Sequence, residues 1–315
     1  MSVVVVGAGM SGVACARRLA DAGVAVRVVD RGRLIGGRMG ARTLREAPGG
    51  SHPVDLGAPY CTVSDDGFRA VVDGWLAAGV AREWTDTFVT ASPDGLGEAK
   101  PGPLRYAGTR SMRALVEHLA GGLEVASGEV VDADVFERLV AESDAVVLAM
   151  PGPQAVRLLT VRPELAAIAD QRYEPAIAVA ARFARREWPE FDAAFVGDLP
   201  IRWLADDGRS RGDHAPVLVA HTTADAARPL LDDPSAAIGP VLDAMRTVLS
   251  LRDEPEETIA QRWTFAQPPE GRDATFHLSD DGIGLCSDGW SAKSRVEAAW
   301  RSGTDLAEAL LRRLP

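Results

Sequence analysis

Four consecutive valines, Val3–Val6, run straight into the hexapeptide GAGMSG, and no other feature constrains the fold as much. A β-branched run without alternation suits a strand buried on both faces of a parallel sheet. Gly7, Gly9 and Gly12 have the GxGxxG spacing. The first glycine permits a tight turn, the second lets a pyrophosphate approach the backbone, and the third lets helix and strand pack closely. Ser11 lies in the same turn, where free N–H groups at a helix start attract anionic oxygens. Residues 13–22 then carry apolar side chains at helical spacing, with Gly23 as the C-terminal stop. A second strand over 24–29 ends in Asp30, whose carboxylate is placed to accept from both hydroxyls of an unphosphorylated ribose. Strand, turn, helix, strand and terminal acid in register specify a dinucleotide-binding βαβ unit.

The chain of 315 residues is long enough for a second region, and the strand–turn–helix pattern returns at residues 143–153 and 283–311. We therefore expect an α/β fold: a discontinuous Rossmann-type domain (1–60, 105–155 and 275–315) and an inserted mixed α+β substrate domain (61–104 and 156–274). A net charge of −11 argues against nucleic acid or an anionic membrane as partner. No apolar run approaches the roughly 18 residues that cross a bilayer. The opening residues lack the basic region and long apolar core of a secretion signal, so a cytoplasmic location is expected. Cys15, Cys61 and Cys286 have no metal-like spacing, so free thiols and no metal site are expected.

A second glycine pair narrows the cofactor. The stretch RLIGGRMGAR follows Asp30 closely, and an acid-ended strand followed by GGRM resembles the second signature of the amine-oxidase-like flavoprotein superfamily. Several later segments are similar to the renalase-like branch in the right order: DLGAPYCT, AVVLAMPGPQ, PIRWLADDGRS, VLVAHTT, QRWTFAQ and LCSDGWSAKSRVEAAWRSG. The resemblance implies a p-hydroxybenzoate-hydroxylase/monoamine-oxidase-like topology and non-covalent FAD. By it, Arg38 faces the pyrophosphate, with Arg31, Gly37 and Met39 beside it, and Gly57 and Ala58 lie near the flavin. Asp288 reaches the ribityl or pyrophosphate region, the helix start at Val296 faces the flavin C2 carbonyl, and Val130 contacts adenine. The implied catalytic and substrate-side residues are His221, Trp263, Trp203 and Tyr60.

Renalase-like enzymes oxidise misreduced dihydro isomers of NAD(P)H and pass the electrons to O2, forming H2O2. A dihydropyridine expels hydride with its own nitrogen lone pair, so such a site needs stacking and dryness more than a base. The substrate half departs from that family at Pro59, Arg110, Ser111 and Thr264; Arg110 is a candidate clamp for a substrate phosphate. Amine oxidation is the competing reading, but it commonly uses a lysine near flavin N5, and this chain has only Lys100 and Lys293. A specialised biosynthetic oxidase or desaturase, a non-catalytic flavin-binding protein and an NAD(P) reductase are the remaining alternatives.

Overall fold

The computed structural model describes residues 2–45 and 52–313. Two large sheets organise them. The first has six strands in the order His277–Leu278, Ile283–Leu285, Ala145–Leu148, Ser2–Val6, Ala25–Asp30 and Glu124–Ser127. All its pairings are parallel except that of the edge strand His277–Leu278. The valines are buried on both faces because helices cover both. Helices Met10–Asp21 and Val296–Arg313 pack together on one side, with Gly303 at their crossing. The glycine turn is thus already helical from Met10, and Gly23 follows its end in a left-handed conformation.

The second sheet has eight strands: Glu257–Gln267, Glu174–Arg182, Val217–Thr222, Ile201–Asp206, Ala193–Val196, Ala81–Ser92, Gly95–Gly108 and Cys61–Thr62. Its pairings are antiparallel apart from that between Ala193–Val196 and Ala81–Ser92. The two-residue side-chain period divides it into two faces. Ile177, Val179, Ala181, Leu204, Leu218 and Ala220 form one core with helix Ile238–Leu249. The opposite face carries Trp263 beside Ala176, then His221 between Ala178 and Trp203 in register. Ala176, Ala178 and Ala180 of the intervening strand face the same way and are buried, Ala178 and Ala180 beneath Leu44, Val54 and Leu56.

Short polar contacts join the sheets. Glu297, at the start of the last helix, accepts from the Ser64 amide and hydroxyl (both 2.6 Å) and from the Asp65 amide (2.8 Å). Asp65 in turn caps helix Asp66–Ala77 by accepting from the Phe68 amide at 3.0 Å.

Candidate flavin and substrate site

Local sterics explain the first glycine turn. A Cβ at Gly12 would lie 1.9 Å from the Gly7 carbonyl oxygen and 3.0 Å from Ala149 Cβ, so the helix start sits hard against the sheet. Asp30 buttresses the turn by accepting from the Ala8 amide with one oxygen and the Gly32 amide with the other, each at 2.6 Å. Each oxygen keeps a further lone pair for a ribose hydroxyl. The loop carrying Val130 is fastened alongside, because Gly128 and Glu129 donate to the carbonyls of Gly32 and Asp30. Val130 itself is 71% exposed, and Arg31 is exposed as well.

The second turn lies against the first. Gly37 has φ of +54°, and a Cβ on it would come 3.2 Å from Gly9 Cα. Helix Met10–Asp21 has no side-chain cap and no acid in its first turn. A side-chain-free cradle therefore borders an uncapped helix start, which suits a pyrophosphate. Arg38 projects beside it, with Tyr173 5.7 Å away under the guanidinium. The guanidinium donates to the Ala266 carbonyl at 3.2 Å and pairs with both Asp288 oxygens, one at 3.0 Å. Ser294 also donates to Asp288. Residues 250 positions apart in the chain thus meet at one point, and Asp288 holds the Arg38 guanidinium in its charged form. Met39 is buried beneath, and Val296 is buried at the start of the last helix.

Gly57 and Ala58 pass close to this turn. The Ala58 amide donates to the Arg38 carbonyl at 2.8 Å, and a Cβ at Gly57 would lie 1.9 Å from that same oxygen. Trp263 spans the junction of the two sheets: its indole N–H donates to the Leu56 carbonyl at 2.6 Å and its benzo edge covers Gly40 and Gly57. These donors, the glycine cradle and the indole fit an extended FAD.

The remaining predicted residues lie further along the same sheet face. His221 is buried, and both its burial and Arg202 push its pKa down to about 3, so the ring is neutral. Trp203 packs against Tyr60, with centroids 5.9 Å apart. Burial pushes the Tyr60 phenol above its ordinary value, against the opposing pull of its hydrogen-bond partner Arg105. Arg110 is exposed, whereas Arg105 is buried. Burial also pushes the Cys61 and Cys286 thiols up to about 12 and raises Cys15 strongly, so none is a thiolate near neutrality. Among the described residues no His/Cys/Asp/Glu group is arranged to hold a metal ion, and no helix is long and apolar enough to cross a membrane.

One buried cluster escaped the reading of the sequence. Asp55, at the end of strand His52–Asp55, accepts with both oxygens from the Met112 amide (2.9 and 3.0 Å). It therefore ties the segment before Gly57 to the start of helix Met112–Leu119. Its own amide faces Asp207, which pairs with Arg211. Burial, reinforced by Asp207, pushes Asp55 up to about 8. A raised acid favours the fold in its protonated form, so this stability is present below the unfolded pKa and is lost as pH rises through about 8. Asp55→Asn keeps an acceptor for Met112 without the charge. Relative to the wild type, its unfolding midpoint should be higher at about pH 9 than at about pH 5. An equal difference at both values would mean that Asp55 ionises normally in the fold.

A Rossmann turn abutting a second glycine turn, with an arginine beside both, defines a flavin-binding oxidoreductase. Residues 114–311, more than half of the chain, match the family described as flavin containing amine oxidoreductase, and residues 5–74 match an NAD(P)-binding Rossmann-like domain. The chain belongs to the flavin-containing amine oxidoreductase family, and its cofactor is FAD. Solved structures agree in fold. A putative protoporphyrinogen oxidase from Exiguobacterium sp. 255-15 superposes with a TM-score of 0.72 at 15% identity, covering 99% of both chains. A redesigned triple variant of putrescine oxidase gives 0.75 at 14%, again over 99% of both. Cyclohexylamine oxidase from Brevibacterium oxydans IH-35A gives 0.74 at 15%, with the same coverage.

Proposed function

We propose that the protein oxidises misreduced dihydro isomers of NAD(P)H, with O2 as electron acceptor, in the cytoplasm. The division of the chain into 1–60, 105–155 and 275–315 against 61–104 and 156–274 belongs to the same reading, as do non-covalent FAD binding and the cofactor contacts from Gly7 to Val296. Bound FAD supplies a two-electron acceptor for hydride. The observation that carries the proposal is that the lysines and His221 are poorly suited as the site's base: Lys100 and Lys293 are both exposed, and burial with Arg202 lowers His221 to about 3. A dihydropyridine needs no base, since its ring nitrogen drives hydride loss. Trp263 offers it an indole face, and His221 orients its carboxamide or ribose. Tyr60 and Trp203 keep water away.

Oxidation of an amine is the second reading, favoured by the aromatic cluster around Tyr60. Anaerobic mixing with dihydronicotinamide isomers is expected to bleach the flavin band within seconds, while putrescine and cyclohexylamine leave it unchanged. Bleaching by the amines alone would transfer the assignment to amine oxidation.

A further inference from the structure

Most buried polar side-chain atoms in a folded protein find a partner, so a concentration of unpartnered ones calls for an explanation. Among the described residues, Arg105 Nε and Nη1, Trp84 Nε1, Trp203 Nε1 and His221 Nε2 are all buried without a hydrogen-bond partner. The four residues are neighbours. Ring centroids linking Tyr60, Trp84, Phe88 and Trp203 are 4.9–6.1 Å apart, and His221 is the cross-strand partner of Trp203. Arg105 is only 6% exposed, and among the described residues no carboxylate is paired with it. Its Cζ stands 3.6 Å from the centroid of Phe88. That stacking fixes the plane of the guanidinium and favours its charge, yet leaves the in-plane N–H groups of Nε and Nη1 unsatisfied.

The chemistry of these groups is one-sided. Both arginine nitrogens and both indole nitrogens are donors only. An ammonium, itself a donor, satisfies none of them and is repelled by the arginine. A neutral aromatic ring satisfies none either. An oxyanion offers acceptor lone pairs and a compensating charge, and charge-assisted bonds of this kind are the strongest available in a site of low polarity. The cluster reaches the surface at Phe195, which is 49% exposed and packs against both Phe88 and Trp203.

We propose that Arg105, with the indole N–H groups of Trp84 and Trp203, forms an oxyanion subsite that selects substrates carrying a carboxylate or phosphate and rejects cationic amines. The subsite rests on the reading that this sheet face is the substrate wall. It deepens that reading, because the dinucleotide isomers carry phosphates. It also supplies a clamp in a place other than Arg110.

The test uses the FAD-loaded protein and ligands that cannot be oxidised by hydride loss, so it is independent of which substrate is turned over. Benzoate, benzamide and, as the cationic member, benzamidine present one ring with three charges. Perturbation of the flavin spectrum and quenching of tryptophan fluorescence are expected to show benzoate binding at least tenfold more tightly than benzamide, with benzamidine weakest. Competition by AMP and by inorganic phosphate separates the two oxyanions: displacement of benzoate by AMP assigns the subsite to a phosphate, and no displacement assigns it to a carboxylate. Arg105→Met should weaken benzoate at least tenfold and leave benzamide within about twofold, with Arg105→Lys intermediate. Equal binding of benzoate and benzamide to the wild type would overturn the proposal, even if Arg105→Met failed to fold. So would a folded Arg105→Met protein that bound benzoate unchanged. Failure of the dihydronicotinamide isomers to bleach the flavin, alongside benzoate selectivity, would remove the proposed substrate and leave the subsite standing.

Discussion

Arg38→Ala should emerge from purification nearly colourless. The guanidinium stands beside the glycine cradle, fixed by Asp288 and the Ala266 carbonyl, and in the proposed reading it is the cation that faces the pyrophosphate. Losing a charge-assisted contact costs about 2–3 kcal/mol, which lowers FAD affinity by about 30- to 150-fold. Lysine should restore only part of this, since a point charge does not reproduce a planar fork. The variant also leaves Asp288 without its partner. An Arg38→Ala/Asp288→Asn double variant therefore separates loss of cofactor from loss of fold: it should unfold at a higher temperature than Arg38→Ala yet remain short of FAD. The flavin-to-protein absorbance ratio reads the cofactor, and thermal unfolding reads the fold. Stoichiometric FAD in purified Arg38→Ala would show that Arg38 is a structural ion-pair partner and nothing more.

The second large effect is expected at Gly303, the last residue of the LCSDGWSAKSRVEAAWRSG segment. A Cβ on Gly303 would sit 1.9 Å from the Ser11 carbonyl oxygen and 3.0 Å from the Cys15 amide nitrogen. Both obstacles are backbone, so no side-chain rotation relieves them. Gly303→Ala should cost about 3 kcal/mol or more, at or beyond the upper end of ordinary overpacking. Flavin should be lost with it, because the two helices forced apart carry the glycine turn at one end and the Val296 start at the other. Gly74 is the control. It lies in helix Asp66–Ala77 with nothing near its missing Cβ, and Gly74→Ala should stabilise by about 0.5–1 kcal/mol. Thermal unfolding of the three proteins gives the comparison. A Gly303→Ala midpoint equal to that of the wild type would mean that the helices part without cost.

The contrast between these positions shows what sequence reveals. Gly7, Gly12 and Asp30 are legible because their roles are local: turn, helix start and strand end follow one another within a single βαβ unit. Arg38 was legible through its GGRM setting, but its partner Asp288 only through family likeness. Strand Glu124–Ser127 and helix Ala133–Glu142 went unread, since EVAS has no apolar run and Phe136 is the helix's only fully buried residue. Asp55 and Met112 are far apart in sequence, and no periodicity links a carboxylate to an amide on another element. Arg105 was missed for the same reason. It alternates with Tyr106 in a polar strand as any surface arginine would, and its burial is created by Phe88 from the neighbouring strand and Tyr60 from the segment before Cys61. Arg110, the arginine that the sequence offers as a clamp, is left in solvent by the fold.

The three alanines between Trp263 and His221 carry a consequence for evolution. Their outward face contributes nothing but methyl groups, while the intervening Ile177, Val179 and Ala181 anchor the strand to the core behind. Enlarging Ala178 or Ala180 presses on Leu44, Val54 and Leu56, which pack against them, and so displaces the segment leading to Gly57. A lineage built on this scaffold is therefore held to small side chains at Ala176, Ala178 and Ala180 and must vary its substrate wall elsewhere.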